Sequence, residues 1–184
     1  MTLILALILP IAVFLIFGKL MTTISNRNHV IDVLKNIPRK DDRKPLNMRP
    51  GGYDVEAVAR HWQAIVDDES GLAIKAEDLF LRLDLVFPLI YGGAFVTSFL
   101  MLQQNSNVRF DLLLAIVPVT ITVLADWTEN LIQINQLNRF EKEGATALQA
   151  AAIGVASVAT RIKLLFFIGA YVYLLVLTVV AIAG

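Results

Sequence analysis

The sequence predicts an all-α integral membrane protein: four transmembrane helices, with a cytoplasmic amphipathic helix between the first and second. Three observations lead there. Hydrophobic residues make up 57% of the chain, well above soluble usage. They are gathered into blocks long enough to cross hydrocarbon. Basic residues crowd one end of these blocks, the asymmetry that orients spans in a bilayer.

The first block, Leu3–Phe17, closes at Gly18 and Lys19, and with Lys19 snorkelling the span reaches about Met21. No basic n-region precedes it and no small-x-small site follows, so residues 1–21 read as a retained span rather than a signal peptide. Pro10 removes one backbone hydrogen bond and is expected to kink it.

Residues 22–77 form a polar segment. Arg27, Lys35, Arg39, Lys40, Arg43, Lys44 and Arg49 assign it to the cytoplasm and the N-terminus to the outside. Pro38, Pro45 and Pro50-Gly51-Gly52 mark its middle as irregular loop. At about 54–68, Val55, Val58, Trp62, Ile65 and Val66 recur at helical spacing behind Asp54, a good N-cap. This amphipathic helix is expected on the bundle or along the headgroups, with Trp62 suited to the interface. His61 beside Asp67-Asp68-Glu69 reads as a solvated acidic turn, not as a metal site.

Residues 78–184 read as a three-span bundle with long helical extensions on the cytoplasmic side. Leu79–Leu102 is the second span, with Arg82 and Asp84 at its cytoplasmic end. Asp78 lies one helical turn before Arg82 and can pair with it. Asp84 shares a face with Pro88, Tyr91 and Phe95, while Gly92, Gly93, Ala94 and Ser98 permit close helix approach. After a short turn at Gln103–Asn107, the third span runs from about Phe110 to Ala125. It continues as a polar extension carrying Asp126, Glu129, Asn130 and Gln133, of which Asp126, Asn130 and Gln133 fall within roughly 60° of one another. Ala145–Ala183 reads as one very long helix or two collinear ones. Its first half is small and alanine-rich, suited to packing on that extension, and Arg161 and Lys163 precede the fourth span. The C-terminus then lies outside, with residues of about 138–150 cytoplasmic.

This topology brings Arg82, Asp84, Asp126, Glu129, Arg161 and Lys163 to one depth, three acids against three bases. The plainest reading is a polar layer that fixes helix register. A divalent cation on the carboxylates is opposed by the three bases. An anionic headgroup against Arg161 and Lys163, a quinone-like ligand, or a proton relay through Asp126 and Glu129 remain open. Net charge is zero, so no basic field points to nucleic acid. The absence of cysteine excludes disulfides and thiolate chemistry, and neither histidine lies in an apolar block to hold a haem there.

Asp84–Tyr91, Ala125–Asn130 and Thr160–Lys163 carry D-x-x-F-P-x-x-Y, D-x-x-E-N and T-x-x-K blocks on successive spans. In these the chain resembles an uncharacterised group of multi-pass, bacterial-type membrane proteins, over roughly Leu79–Tyr173. The resemblance implies no activity. It implies that Thr160 and Lys163, rather than Arg161, belong with Asp84, Asp126 and Glu129. The candidate ligand-binding residues are thus Asp84, Tyr91, Asp126, Glu129, Asn130, Thr160 and Lys163, with Arg82 and Arg161 secondary.

The expected function is that of a non-enzymatic accessory, assembly or scaffolding subunit of a larger membrane complex, such as a respiratory or photosynthetic one. It rests on missing catalytic constellations, small-residue packing faces and small size. The alternative is a small membrane enzyme or lipid-headgroup binder using the charged layer, and a third reading is an oligomeric channel or carrier. The expected partners are membrane lipids and other membrane subunits; no cofactor is evident, bound lipid is allowed, and the expected location is a bacterial-type inner, or equivalent, membrane.

Overall fold

A computed structural model of the protein describes residues 2–183, apart from the side chain of Asp41; residues 1 and 184, which close the expected outer spans, lie outside it. The described residues are helical and contain four helical segments long and apolar enough to cross a membrane. The elements are α1 (Thr2–Ile24), α2 (Arg27–Leu34), α3 (Val55–Val66), α4 (Leu72–Leu83), α5 (Phe87–Asn105), α6 (Leu112–Glu143) and α7 (Ala150–Ala183), with short 3-10 turns between α2 and α3 and before α7.

α1 runs one turn beyond the expected end at Met21, with Pro10 accommodated inside it. It stops because Asn26 adopts φ 58°, a left-handed conformation that asparagine tolerates better than most residues. That turn throws the chain sideways into α2.

The second span is not one helix. α4 ends at Leu83, residues 84–86 form a turn, and α5 restarts at Phe87 with Pro88 in its first turn. Proline is well placed there because its missing N–H is one the helix would leave unpaired anyway. Hydropathy runs smoothly across the break, which is why the sequence reads as continuous. α6 is capped by Asp111, whose carboxylate accepts from the backbone N–H groups of Leu113 and Leu114. Gly92 permits the close approach of α5 to α6: a Cβ there would stand 3.0 Å from a Val123 methyl.

The apolar interior falls into two parts. In the bundle of long apolar helices, Tyr91, Phe95, Phe99 and Leu102 of α5 pack with Ala115 and Val119 of α6 and Ala170 and Leu174 of α7. The second core belongs to a cap in which α2, α3 and the start of α4 sit on the extensions of α6 and α7. Trp62, Val30, Leu34, Leu46, Ile65 and Leu81 are buried there with Leu137, Phe140 and Ile153.

The cap corrects several expectations. Trp62 is 1% exposed and meets Phe140 edge-on at 5.9 Å, so it anchors a protein core rather than a headgroup layer. The proline-marked stretch is ordered around a buried cation. Arg49 donates to the carboxylate of Asp42 and to the backbone carbonyls of Asp42 and Lys44, and Arg60 holds the other oxygen of Asp42. Arg27 is likewise buried, stacked 3.3 Å from the Phe80 ring centroid with its Nε 3.5 Å from Glu77 Oε2. Two members of the basic cluster therefore serve the cap interior. α4 also runs through the expected boundary at 77/78, making its first turns part of the cap.

Candidate functional site

Between the two apolar cores lies a buried polar layer, built from the break after α4 outward. In an unbroken helix the carbonyl of Asp84 would accept from the N–H of residue 88, but residue 88 is proline. The carbonyl of Leu85 also loses its usual partner, because the N–H of Leu89 turns instead to Val86. α6 supplies both replacements: Asn130 Nδ2 donates to the Asp84 carbonyl at 3.0 Å and Trp127 Nε1 to the Leu85 carbonyl at 2.8 Å. The first two sequence blocks thus fit each other physically.

The acids follow. Tyr91 donates its hydroxyl to Asp126 Oδ2 at 3.0 Å. Lys163, on α7, reaches Asp126 Oδ1 at 2.8 Å and Glu129 Oε2 at 2.5 Å. Gln133 Nε2 donates to the other oxygen of Glu129 and to the Tyr53 hydroxyl, both at 2.9 Å. Tyr53 descends from the loop before α3, held by its N–H bond to Ser157 Oγ at 2.9 Å. Its hydroxyl pKa is raised, first by burial and then by the Glu129 carboxylate, so it remains a neutral donor. Each of these residues is at most 8% exposed.

Of the residues expected at the site, Asp84, Tyr91, Asp126, Glu129, Asn130 and Lys163 come together in this layer. Thr160 is buried on the same level of α7, its hydroxyl donating back to the Ala156 carbonyl rather than to an acid. Arg82 and Arg161 do not join. Arg82 is exposed and paired with Asp78 at 2.8 Å, as its spacing suggested. Arg161 turns away from the acids and donates to the Gly51 carbonyl, fastening the loop to α7. The expected balance of three acids against three bases is therefore wrong. Three carboxylates face one base, Lys163, whose ammonium pairs with Asp126 and Glu129.

Tyr53 is the residue missed at the site. Its only sequence signal was an aromatic next to Gly52, and nothing in the local pattern told that the loop reaches the layer. Glu77 was also passed over: it is fully buried between Arg27 and His61, whose Nε2 lies 3.8 Å from Glu77 Oε1. His61 faces Glu77 rather than the acidic turn, and it is His29 that meets Asp68, at 3.0 Å.

A cleft of about 410 Å³ opens into the layer. Asp84, Asp126 and Lys163 lie at its polar end, the rings of Phe87, Tyr91 and Phe167 line it, and Asn47, Met48 and Pro50 roof it. Phe14 of α1 closes the aromatic side, 5.2 Å from both the Phe87 and Phe167 rings. Asp84 is 4% exposed and lines this space, yet its carboxylate receives no hydrogen bond or ion pair from the described residues.

Comparison of the chain with models of protein families, with curated proteins and with solved structures finds no match.

Proposed function

We propose that this protein binds a lipid headgroup, or a small amphiphile of the same shape, in the cleft where the cap meets the bundle. In this reading all four apolar segments cross a bacterial-type inner or equivalent membrane, both termini lie outside, and the cap is cytoplasmic. The cleft then sits at interfacial depth. The observation that carries the proposal is Asp84: a residue only 4% exposed, whose carboxylate borders the polar end of a largely aromatic and aliphatic cleft and has no hydrogen bond or ion pair from the described residues. Burying such a group is costly unless something completes it. Tyr91, Asp126, Glu129 and Lys163 are already bonded to one another, which favours binding over catalysis.

Native mass spectrometry of protein extracted in mild detergent tests the reading. Wild-type protein should carry co-purified lipid, and Leu164→Trp, which fills the cleft, should lose it while keeping its melting temperature. Equal lipid on both, or none on either, would overturn it.

The accessory-subunit reading keeps one supporting observation. On α7, Gly154, Val155, Val158 and Ile162 are exposed and uncharged beside the polar cap. Native sizing of the same extract should then show a larger assembly with defined additional subunits; a lone monomer or homodimer would remove that reading.

A further inference from the structure

The cleft admits an argument about the sign of its ligand, resting on the reading that it is a ligand site. The cations near it are already engaged. Lys163 is divided between Asp126 and Glu129. Arg27, behind the roof, is held by Glu77 and by Asn47 Oδ1 at 3.1 Å. Arg161, which donates to the Gly51 carbonyl, and Arg82, paired with Asp78, do not line the cleft. An entering anion would meet Asp84 and Asp126, and the one base among the residues lining the cleft, Lys163, is already paired. An anionic headgroup, one of the expectations from sequence, therefore fits poorly.

A cation fits the charge, and the lining narrows its kind. A bare metal ion would need several hard oxygen ligands. Lys163 already stands between Asp126 and Glu129, and among the described residues no group of three or more His, Cys, Asp or Glu is arranged to hold a metal. The walls are the aromatic rings of Phe87, Tyr91 and Phe167, whose negative faces attract ammonium groups. The volume suits a small organic group. At the rim, Phe14 is 39% and Met48 62% exposed, apolar surface along which a hydrocarbon chain can lie.

We propose that the cleft takes an ammonium-bearing amphiphile, its cation paired with the Asp84 carboxylate and its hydrocarbon lying along Phe14 and Met48. Asp84 then selects the headgroup, and Lys163 keeps Asp126 and Glu129 from competing for it.

The test titrates purified protein in detergent with short-chain phosphatidylethanolamine, short-chain phosphatidylglycerol, free ethanolamine and tetramethylammonium. Trp127 fluorescence reports binding, since its indole is bonded to Leu85, next to Asp84. The ethanolamine lipid should bind about tenfold more tightly than the glycerol lipid, the size of one charge-assisted contact. Asp84→Asn should erase that preference, while Asp84→Glu should keep it. Binding of the free amines as tight as that of the lipid would support the ammonium and place its source in solution. Equal affinity for the two lipids, a preference for the glycerol lipid, or a preference surviving in Asp84→Asn would overturn the inference and leave the lipid site standing. Failure of every lipid and amine to bind would overturn the site itself. Should Asp84→Asn not fold, the lipid comparison in wild type and Asp84→Glu still decides.

Discussion

The side-chain amide of Asn130 donates to the main-chain carbonyl of Asp84 at 3.0 Å, taking the hydrogen bond that Pro88 cannot make. That contact ties α6 to the break between α4 and α5. It also fixes the backbone from which the Asp84 carboxylate projects, so helix register and the cleft share one origin. Removing the amide should leave a buried carbonyl unsatisfied. Asn130→Ala is expected to cost about 1–3 kcal/mol, read as a lower melting temperature in detergent. In a Pro88→Ala background the restored N–H can serve the carbonyl, and the same substitution should cost measurably less. Equal costs in both backgrounds would show that the contact does not replace the proline's missing bond.

Lys163 is the cation shared by Asp126 and Glu129. Lys163→Met leaves two buried carboxylates facing each other and should destabilise by about 3–5 kcal/mol. Combining it with Asp126→Asn and Glu129→Gln should recover much of that loss. A triple variant as unstable as Lys163→Met alone would mean that the packing of the lysine stem, not its charge, is what the layer needs.

Gly52 adopts φ 77°, and a Cβ there would collide with Ser157 Oγ and the Arg161 guanidinium. Gly52→Ala is therefore expected to lift the loop off α7 and to loosen Tyr53, at a cost above about 1 kcal/mol. Amide exchange should speed up around residues 49–54 while the bundle stays protected. Unchanged exchange there would show that the loop is not fastened at this point.

The cap should weaken in acid in two stages. His61 is fully buried, and burial holds its pKa below the ordinary histidine value despite the opposing pull of Glu77. A lowered histidine contributes stability that is complete above its unfolded pKa, about 6.5. That contribution fades as pH falls through the folded-state value. Asp68 accepts hydrogen bonds from Ser70, His29 and the Ala73 N–H, which hold its carboxyl well below the usual range. Its contribution is present above the unfolded value, about 3.9, and is lost only at stronger acidity. Melting temperature should thus be flat above pH 6.5 and fall below it, and His61→Gln should remove the upper stage alone. A variant that still falls between pH 6.5 and 4.5 would assign that stage to other groups.

Much of the site was legible because it lies on regular helix. The spacing of Asp126, Asn130 and Gln133 puts them on one face wherever the helix sits, and an acidic stripe at the edge of an apolar block must find protein partners. The shared face of Thr160 and Lys163 follows from the same geometry, whereas Asp84 and Tyr91 meet at the cleft across the turn at 84–86 rather than along one helix. What escaped depended on distant partners. Hydropathy across Leu79–Leu102 is indifferent to a three-residue turn, so the break at 84–86 left only Pro88 as a signal. Arg27 and Arg49 look like any cytoplasmic base in sequence; their burial is decided by Glu77, Phe80 and Asp42 once the cap closes. The amphipathic pattern of α3 marked an apolar face but not what covers it, and the cover is Phe140 with its neighbours rather than lipid. Arg161 and Lys163 are two residues apart, so their opposite fates rest on helix rotation against the loop at Gly51.

Met48 stands at the rim of the cleft, exposed and lining it, which makes it the place to ask what occupies the space. A photoreactive benzoylphenylalanine installed there and activated in native membranes, followed by mass spectrometry of the protein, tests the central claim most directly. The expected result is a lipid adduct on the reactive residue that Leu164→Trp suppresses. An unmodified chain, or an adduct only to another protein, would contradict a ligand-binding cleft.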